Sequence, residues 1–145
     1  MADARVLRTG TGLLILRVIL GILFFAHGYQ KLITMGIPQI HAAFTKFNIP
    51  LPGLVAPLVT VLEFFGGIAL VVGFLTRVIA LLFAIEMACA VLLVHIKVGL
   101  IGPGGAELPL IFGTAAVALV LGGGGILSID QWISRRAVRV RVRRP

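Results

Sequence analysis

Five carboxylates are all the acid in this sequence: Asp3, Glu63, Glu86, Glu107 and Asp130. Glu63 and Glu86 stand inside long apolar stretches, where an ionisable side chain is costly and by default marks a functional position. At about 1.5 Å per residue, counted from the side of the chain ends, Glu86 sits ~14 Å deep and Glu63 ~16 Å deep. The same count puts Arg17 at ~7 Å and His27 at ~21 Å, with His95 and Glu107 near the far edge. Two carboxylates at one level in an apolar medium need a cation or a proton. Arg17 is the cation expected from the near side, because its side chain can snorkel several ångströms. Lys31 and His27 are the candidates from the far side.

Helical spacing groups these residues. Arg17, Gly21, Phe24, Gly28 and Lys31 recur at four, three, four and three, and so share one stripe of a helix. Glu63, Gly66, Gly67, Leu70 and Gly73 share another. Small residues on a stripe let backbones approach, so a glutamate flanked by glycines faces protein rather than lipid. Glu86 has Leu82, Phe83, Cys89 and Ala90 as face neighbours, and no partner is evident for it. The chemistry such a set supports is proton handling at a buried site. A quinone-like molecule held between helices is one use, with Glu63 exchanging the proton and His27 hydrogen-bonding a quinone oxygen. In that reading Arg17, Gly28, Lys31, Gly66, Gly67, Glu86 and Glu107 complete the binding site, with Glu107 at its outer opening. The plain alternative is a buried ion pair that sets helix register.

Other chemistries are weaker. His27 and His95 fall within about two helical turns in depth, the arrangement that ligates haem, but a histidine satisfied by a neighbour is commoner. No tight group of His, Cys and acid marks a metal site. The single cysteine, Cys89, excludes an internal disulfide and a CxxC centre, and its apolar surroundings do not favour a reactive thiolate.

These residues must be positioned by membrane-spanning helices. Of the 145 residues 59% are hydrophobic and 12% charged, with a mean hydropathy of +1.13. A soluble fold of this length could not bury so much apolar surface, and disorder needs the opposite composition. Four stretches reach spanning length: 13–32, 54–74, 77–96 and 108–127. Pro50, Pro52, Pro57, Pro103 and Pro109 fall where helices begin, and the glycines of 122–125 end the fourth. The first stretch is too long for a signal peptide, carries Arg17 and leads into further spans, so an uncleaved helix is expected. With both termini on one side, that side holds Arg5, Arg8, Arg77 and six tail arginines, against Lys31, Lys46 and Lys97 on the other. Both termini are therefore expected in the cytoplasm. The long outer loop, 33–53, alternates apolar and polar residues across 40–47, as a short interfacial helix does. The fold class expected is all-α, a transmembrane four-helix bundle.

The net charge of +8 is concentrated in one place. Arg135, Arg136, Arg139, Arg141, Arg143 and Arg144 lie in the last eleven positions without stacking aromatics, which argues against nucleic acid. Such a tail sets sidedness and meets anionic lipid headgroups, and it could also dock a cytoplasmic redox partner. Three segments follow: 1–12, the membrane domain 13–131, and the arginine-rich tail 132–145. The lipid-facing surface of a bundle is open to homo-oligomerisation, with no number fixed by the sequence.

The stretches RVILGILFFAHGYQKL and LEFFGGIALVVGFLTR, then GGAELPL followed by ILSID, resemble the DoxX family over about residues 13–131. These are small four-span bacterial membrane proteins related to the DoxD subunit of thiosulfate:quinone oxidoreductase. The resemblance implies a part in a membrane redox assembly; a mycobacterial relative works beside a superoxide dismutase and a thiosulfate sulfurtransferase. It carries over to Arg17, His27, Gly28, Lys31, Glu63, Gly66, Gly67 and Glu107, and Glu86 stands apart from its motifs. The leading expectation is thus a quinone-binding membrane component of a thiol- or thiosulfate-linked redox assembly. Its rivals are a non-enzymatic scaffold that recruits cytoplasmic partners and a small proton-coupled transporter, the latter weakened by the absence of inverted repeats.

Overall fold

The structure, a computed structural model, describes residues 2–142, with side chains at 4 and 6–135. Arg143 and Arg144 of the tail lie outside the described residues, and Arg136, Arg139 and Arg141 are described in their backbone alone. The described residues form helices and connecting turns, with no strand. Helix α1 runs Ala2–Tyr29 and continues as a π-helical segment, Gln30–Met35. The short helix α2, Ile37–Lys46, follows with Pro38 in its first turn and Ile40 buried, close to the interfacial helix expected over 40–47. Helices α3 (Pro52–Val61) and α4 (Gly67–Val72) form one rod through the π-helical segment Leu62–Gly66. Helix α5, Thr76–Ala90, likewise passes into a π-helical segment, Val91–His95. Helix α6 is Glu107–Gly122 and α7 is Ile129–Val142.

Three continuous helices are long and apolar enough to cross a membrane: Val6–Met35, Pro52–Val72 and Thr76–His95. Helix α6 is apolar but has 16 residues, so it is ~24 Å long against a hydrocarbon core of ~30 Å. The fourth stretch was expected to reach residue 127. It stops at Gly122 because Gly123 adopts φ +78°, which ends the helical path. The arginine-rich segment begins inside a helix, since α7 starts at Ile129.

The core is built by α1, α4, α5 and α6, with Leu20, Phe24, Leu70, Ala80, Phe83, Met87, Phe112, Ala116 and Leu119 at its centre. Large apolar residues such as Ile15, Ile19, Ile22, Val78, Leu81 and Ile85 point outward instead. That distribution suits a lipid surround and would be costly in water. Helix α1 meets the α3–α4 rod backbone to backbone. A Cβ on Gly21 would lie 2.7 Å from the Gly67 carbonyl, and one on Gly28 would collide with the Phe64 backbone. Glycine is required there by the close approach of the two helices.

The start of α1, the end of α4, the start of α5 and the 123–128 turn gather at one end of the packed helices, here the terminal end. Asp130 accepts hydrogen bonds from the Leu75 and Thr76 amides, both at 2.8 Å. It thereby caps the start of α5 in place of Leu75, which has no capping side chain. Arg77 in turn donates to the Leu121 carbonyl at the C-terminus of α6. The opposite, loop end holds α2 and the 96–106 connection, tied back by His95 Nδ1, 2.7 Å from the Gly104 carbonyl.

Candidate functional site

The two stripes read from helical spacing are the buried faces. Arg17, Gly21, Phe24 and Gly28 are buried on α1, and Glu63, Gly66, Gly67, Leu70 and Gly73 are buried on the α3–α4 rod. Gly28 lies against the Glu63–Phe64 backbone, which brings the next turn of α1 alongside Glu63. There Lys31 Nζ lies 2.7 Å from Glu63 Oε2. Glu63 is 4% exposed, whereas the Lys31 side chain keeps 21% of its surface. The ion pair therefore has a closed side and an open side.

Glu86 joins the pair from α5. Its carboxyl lies within hydrogen-bonding reach of Glu63 and in the field of Lys31, and its Oε2 is buried with no hydrogen-bond partner. The arrangement is thus one cation and two acids. Lys31 and Glu63 both sit in π-helical segments, and Glu86 precedes the third by about one turn. Widened turns of this kind recur at functional sites because they re-aim side chains out of the regular helical phase.

An aromatic floor closes the site on the terminal side. Phe24 and Phe83 stack with ring centres 3.6 Å apart and planes within 1°. Phe112 tilts against Phe24 at 5.6 Å. Phe83 is one turn from Glu86 on the same face, so the floor and the acids share a wall. His27 is half-buried, with its ring edge toward Phe112 at 6.1 Å. Gly66 packs against the tip of Phe83, which a Cβ would approach to 3.0 Å.

Arg17 goes elsewhere. Expected among the charges of Glu63 and Glu86, it is buried at 1% exposure at the terminal end. Its Nη2 donates to the Leu127 carbonyl at 3.3 Å, and its Nη1 lies over Gly73, where a Cβ would collide with it. Asp130 is the carboxylate whose field it feels. The reason is directional: side chains on a helix lean toward its N-terminus, which for α1 is the terminal end. Lys31 obeys the same rule from further along the helix and leans down onto Glu63. Glu107 is exposed in the first turn of α6. Among the described residues no three of His, Cys, Asp and Glu gather as a metal site, and Cys89 is exposed.

Sequence reasoning missed Asp130 and Ser128. Asp130 has no apolar span around it and reaches a helix start 54 residues earlier in the chain, which no local pattern reveals. The sequence signal available was its place directly after the glycine turn.

The comparisons with known proteins bear on the whole of this arrangement. The DoxX family model matches residues 12–96, which include Arg17, Lys31, Glu63 and Glu86. The Bacillus subtilis (strain 168) protein named "Putative oxidoreductase CatD" is 32% identical over 123 residues, 84% of this chain and 87% of that protein. The Escherichia coli (strain K12) "Inner membrane protein YqjF" is 41% identical over 71 residues, 48% of this chain and about half (51%) of that protein. No solved structure matches the chain. A family match over more than half of the sequence, with a relative aligned along most of its length, makes this membrane protein a member of the DoxX family.

Proposed function

We propose that this chain is the integral-membrane component of a redox assembly and that a quinone-like small molecule binds beside Lys31, Glu63 and Glu86. The observation that carries the reading is the buried carboxyl pair with a single cation. A quinone, when bound, takes up electrons together with protons. The residues present suit such a group: a flat aromatic floor at Phe24, Phe83 and Phe112, an imidazole at His27, and a Glu86 oxygen that lacks a partner. In this site Glu63 and Glu86 hold and pass a proton between them. Lys31 balances the remaining charge, and its open side faces the surroundings from which an apolar molecule would enter. His27 orients a polar oxygen, and Glu107 stands at the loop-end opening. Arg17 lies at the terminal end, away from the Lys31–Glu63 pair.

In the bilayer we place α1, the α3–α4 rod, α5 and α6 as four spans of a bundle, with both termini in the cytoplasm and the chain in the bacterial inner membrane. The count of basic residues supports that sidedness, and the "inner membrane" name of the Escherichia coli relative supports the location. The name of the Bacillus subtilis relative supports the redox reading.

Protein purified in mild detergent without added cofactors, followed by a visible spectrum and mass spectrometry of extracted small molecules, tests the proposal. A co-purifying quinone, or saturable binding of added quinone that Glu63→Gln and Lys31→Met weaken, is the expected result. No quinone and no saturable binding would overturn it. A second reading, a non-enzymatic scaffold, is favoured by the closed Lys31–Glu63 contact. It requires Glu63→Gln to lower thermal stability or partner recovery while redox activity stays unchanged.

A further inference from the structure

Helix α7 carries its two faces the wrong way round for a helix on a water-facing surface, which turns its apolar side to the core. Asp130, Gln131 and Ser134 line a cavity of about 580 Å³ shared with Val6, Thr9 and Leu13 of α1. The inward side of α7 is therefore polar. At about 3.6 residues per turn, Ile129, Trp132 and Ile133 fall roughly opposite, and they are 39%, 54% and 48% exposed. Hydrogen bonds fix the rotation of α7 about its axis. Both Asp130 carboxylate oxygens accept from amides at the start of α5, each at 2.8 Å. The Asp130 amide donates to the Gly73 carbonyl at 3.0 Å. These bonds hold the polar side in and turn the apolar side out.

The neighbouring spans set the level of that outer face. Gly73 and Leu75 belong to the junction between two helices long and apolar enough to cross a membrane, Pro52–Val72 and Thr76–His95. Val6, which shares the cavity with Ser134, begins the Val6–Met35 span. The first two turns of α7 are thus level with the ends of all three. Phe74, Leu75 and Leu127 are exposed at the same level, so the apolar surface of the spans continues onto α7. The basic run of the tail begins just beyond, at the exposed Arg135.

We propose that the start of α7 is an interfacial anchor lying against the lipid bilayer, with Ile129, Trp132 and Ile133 set among the acyl chains just below the headgroups. Amphipathic helices bind membranes in this way, and tryptophan favours that boundary because its ring is apolar and its N–H is a donor. Arg135 carries its charge to the headgroup layer on an apolar stem. A soluble partner would have to reach the same face at the depth of lipid. The inward side stays polar because Asp130 must meet the α5 amides, so the contact that closes the fold also presents the anchor.

Trp132 is the only tryptophan in the chain, so its fluorescence reports on this face directly. The test uses the full chain in phosphatidylcholine vesicles whose acyl chains are brominated either near the ester or near the methyl end. Acrylamide, present on both sides of the vesicles, is the aqueous quencher. Bromine near the ester should quench Trp132 strongly, bromine near the methyl end less, and acrylamide little. The double variant Ile129→Asp with Ile133→Asp should lose most of the bromine quenching and gain severalfold in acrylamide quenching, with helix content by circular dichroism unchanged. If that variant does not fold, the quenching pattern of the unaltered chain decides alone. Quenching by acrylamide without bromine would place the face in water. Protection from both quenchers would place it under protein, as in a second copy of the chain. Either result, or an unchanged pattern in the folded double variant, would overturn the proposal.

Discussion

Lys31 faces two carboxyls, and that imbalance is the most informative feature at the scale of single residues. With Glu63 at 2.7 Å and Glu86 against Glu63, either acid can serve as the counter-ion if the other is neutralised. Glu63→Gln or Glu86→Gln alone should therefore cost less than the loss of both acids. The double variant leaves Lys31 without an acid. Breaking a fully buried pair costs roughly 3–5 kcal/mol, and the partial exposure of Lys31 reduces that. The expected coupling is about 1–3 kcal/mol beyond the sum of the singles. Unfolding of the four proteins in one detergent measures it, and additive losses would show that Glu86 is not a substitute partner. The residue types and their depths were legible in the sequence, including the near-equal level of Glu63 and Glu86. Arg17 packs against Leu127 and Gly73 rather than beside Glu63, because depth along a helix says nothing about which way a side chain leans.

At the scale of elements, the two ends are tied by different means. The loop end is tied by His95 to the Gly104 carbonyl, and the π-helical segments are features that no propensity or periodicity announced. The terminal end is tied by Asp130, which caps α5 from the first turn of α7. Asp130→Ala removes that cap and the nearest counter-charge of Arg17. A lost cap costs ~1–2 kcal/mol. The midpoint of thermal unfolding in detergent should fall accordingly, and α7 should become easier to cleave by protease. Asp130→Asn should lose less than Asp130→Ala, because its Oδ1 still accepts from one of the two amides while its Nδ2, a donor, cannot accept from the other. Equal loss in both variants would mean that the charge toward Arg17, rather than the cap, is what holds α7.

For the whole molecule, the asymmetry of basic residues sets the expected orientation, with Arg77 and the arginine tail on one side and Lys46 and Lys97 on the other. In a Cys89→Ala background, a cysteine placed at exposed Thr45 should react with a membrane-impermeant maleimide added to intact cells. One placed at Arg135 should react only after the membrane is broken. The opposite pattern would invert the molecule and move Glu107 to the cytoplasmic side. The short α6 is held by its close packing on α5.

The sequence by itself determined the membrane class, the apolar stretches, the short helix before the second of them and the two glycine-lined stripes. All of these follow from composition and from a 3.6-residue period, which act within one helix. Only the tertiary structure decided that Lys31 rather than Arg17 meets Glu63, that Glu86 is the third member, and that Asp130 completes α5. Those outcomes depend on side-chain direction and on contacts between residues tens of positions apart. No periodicity within a single helix encodes either.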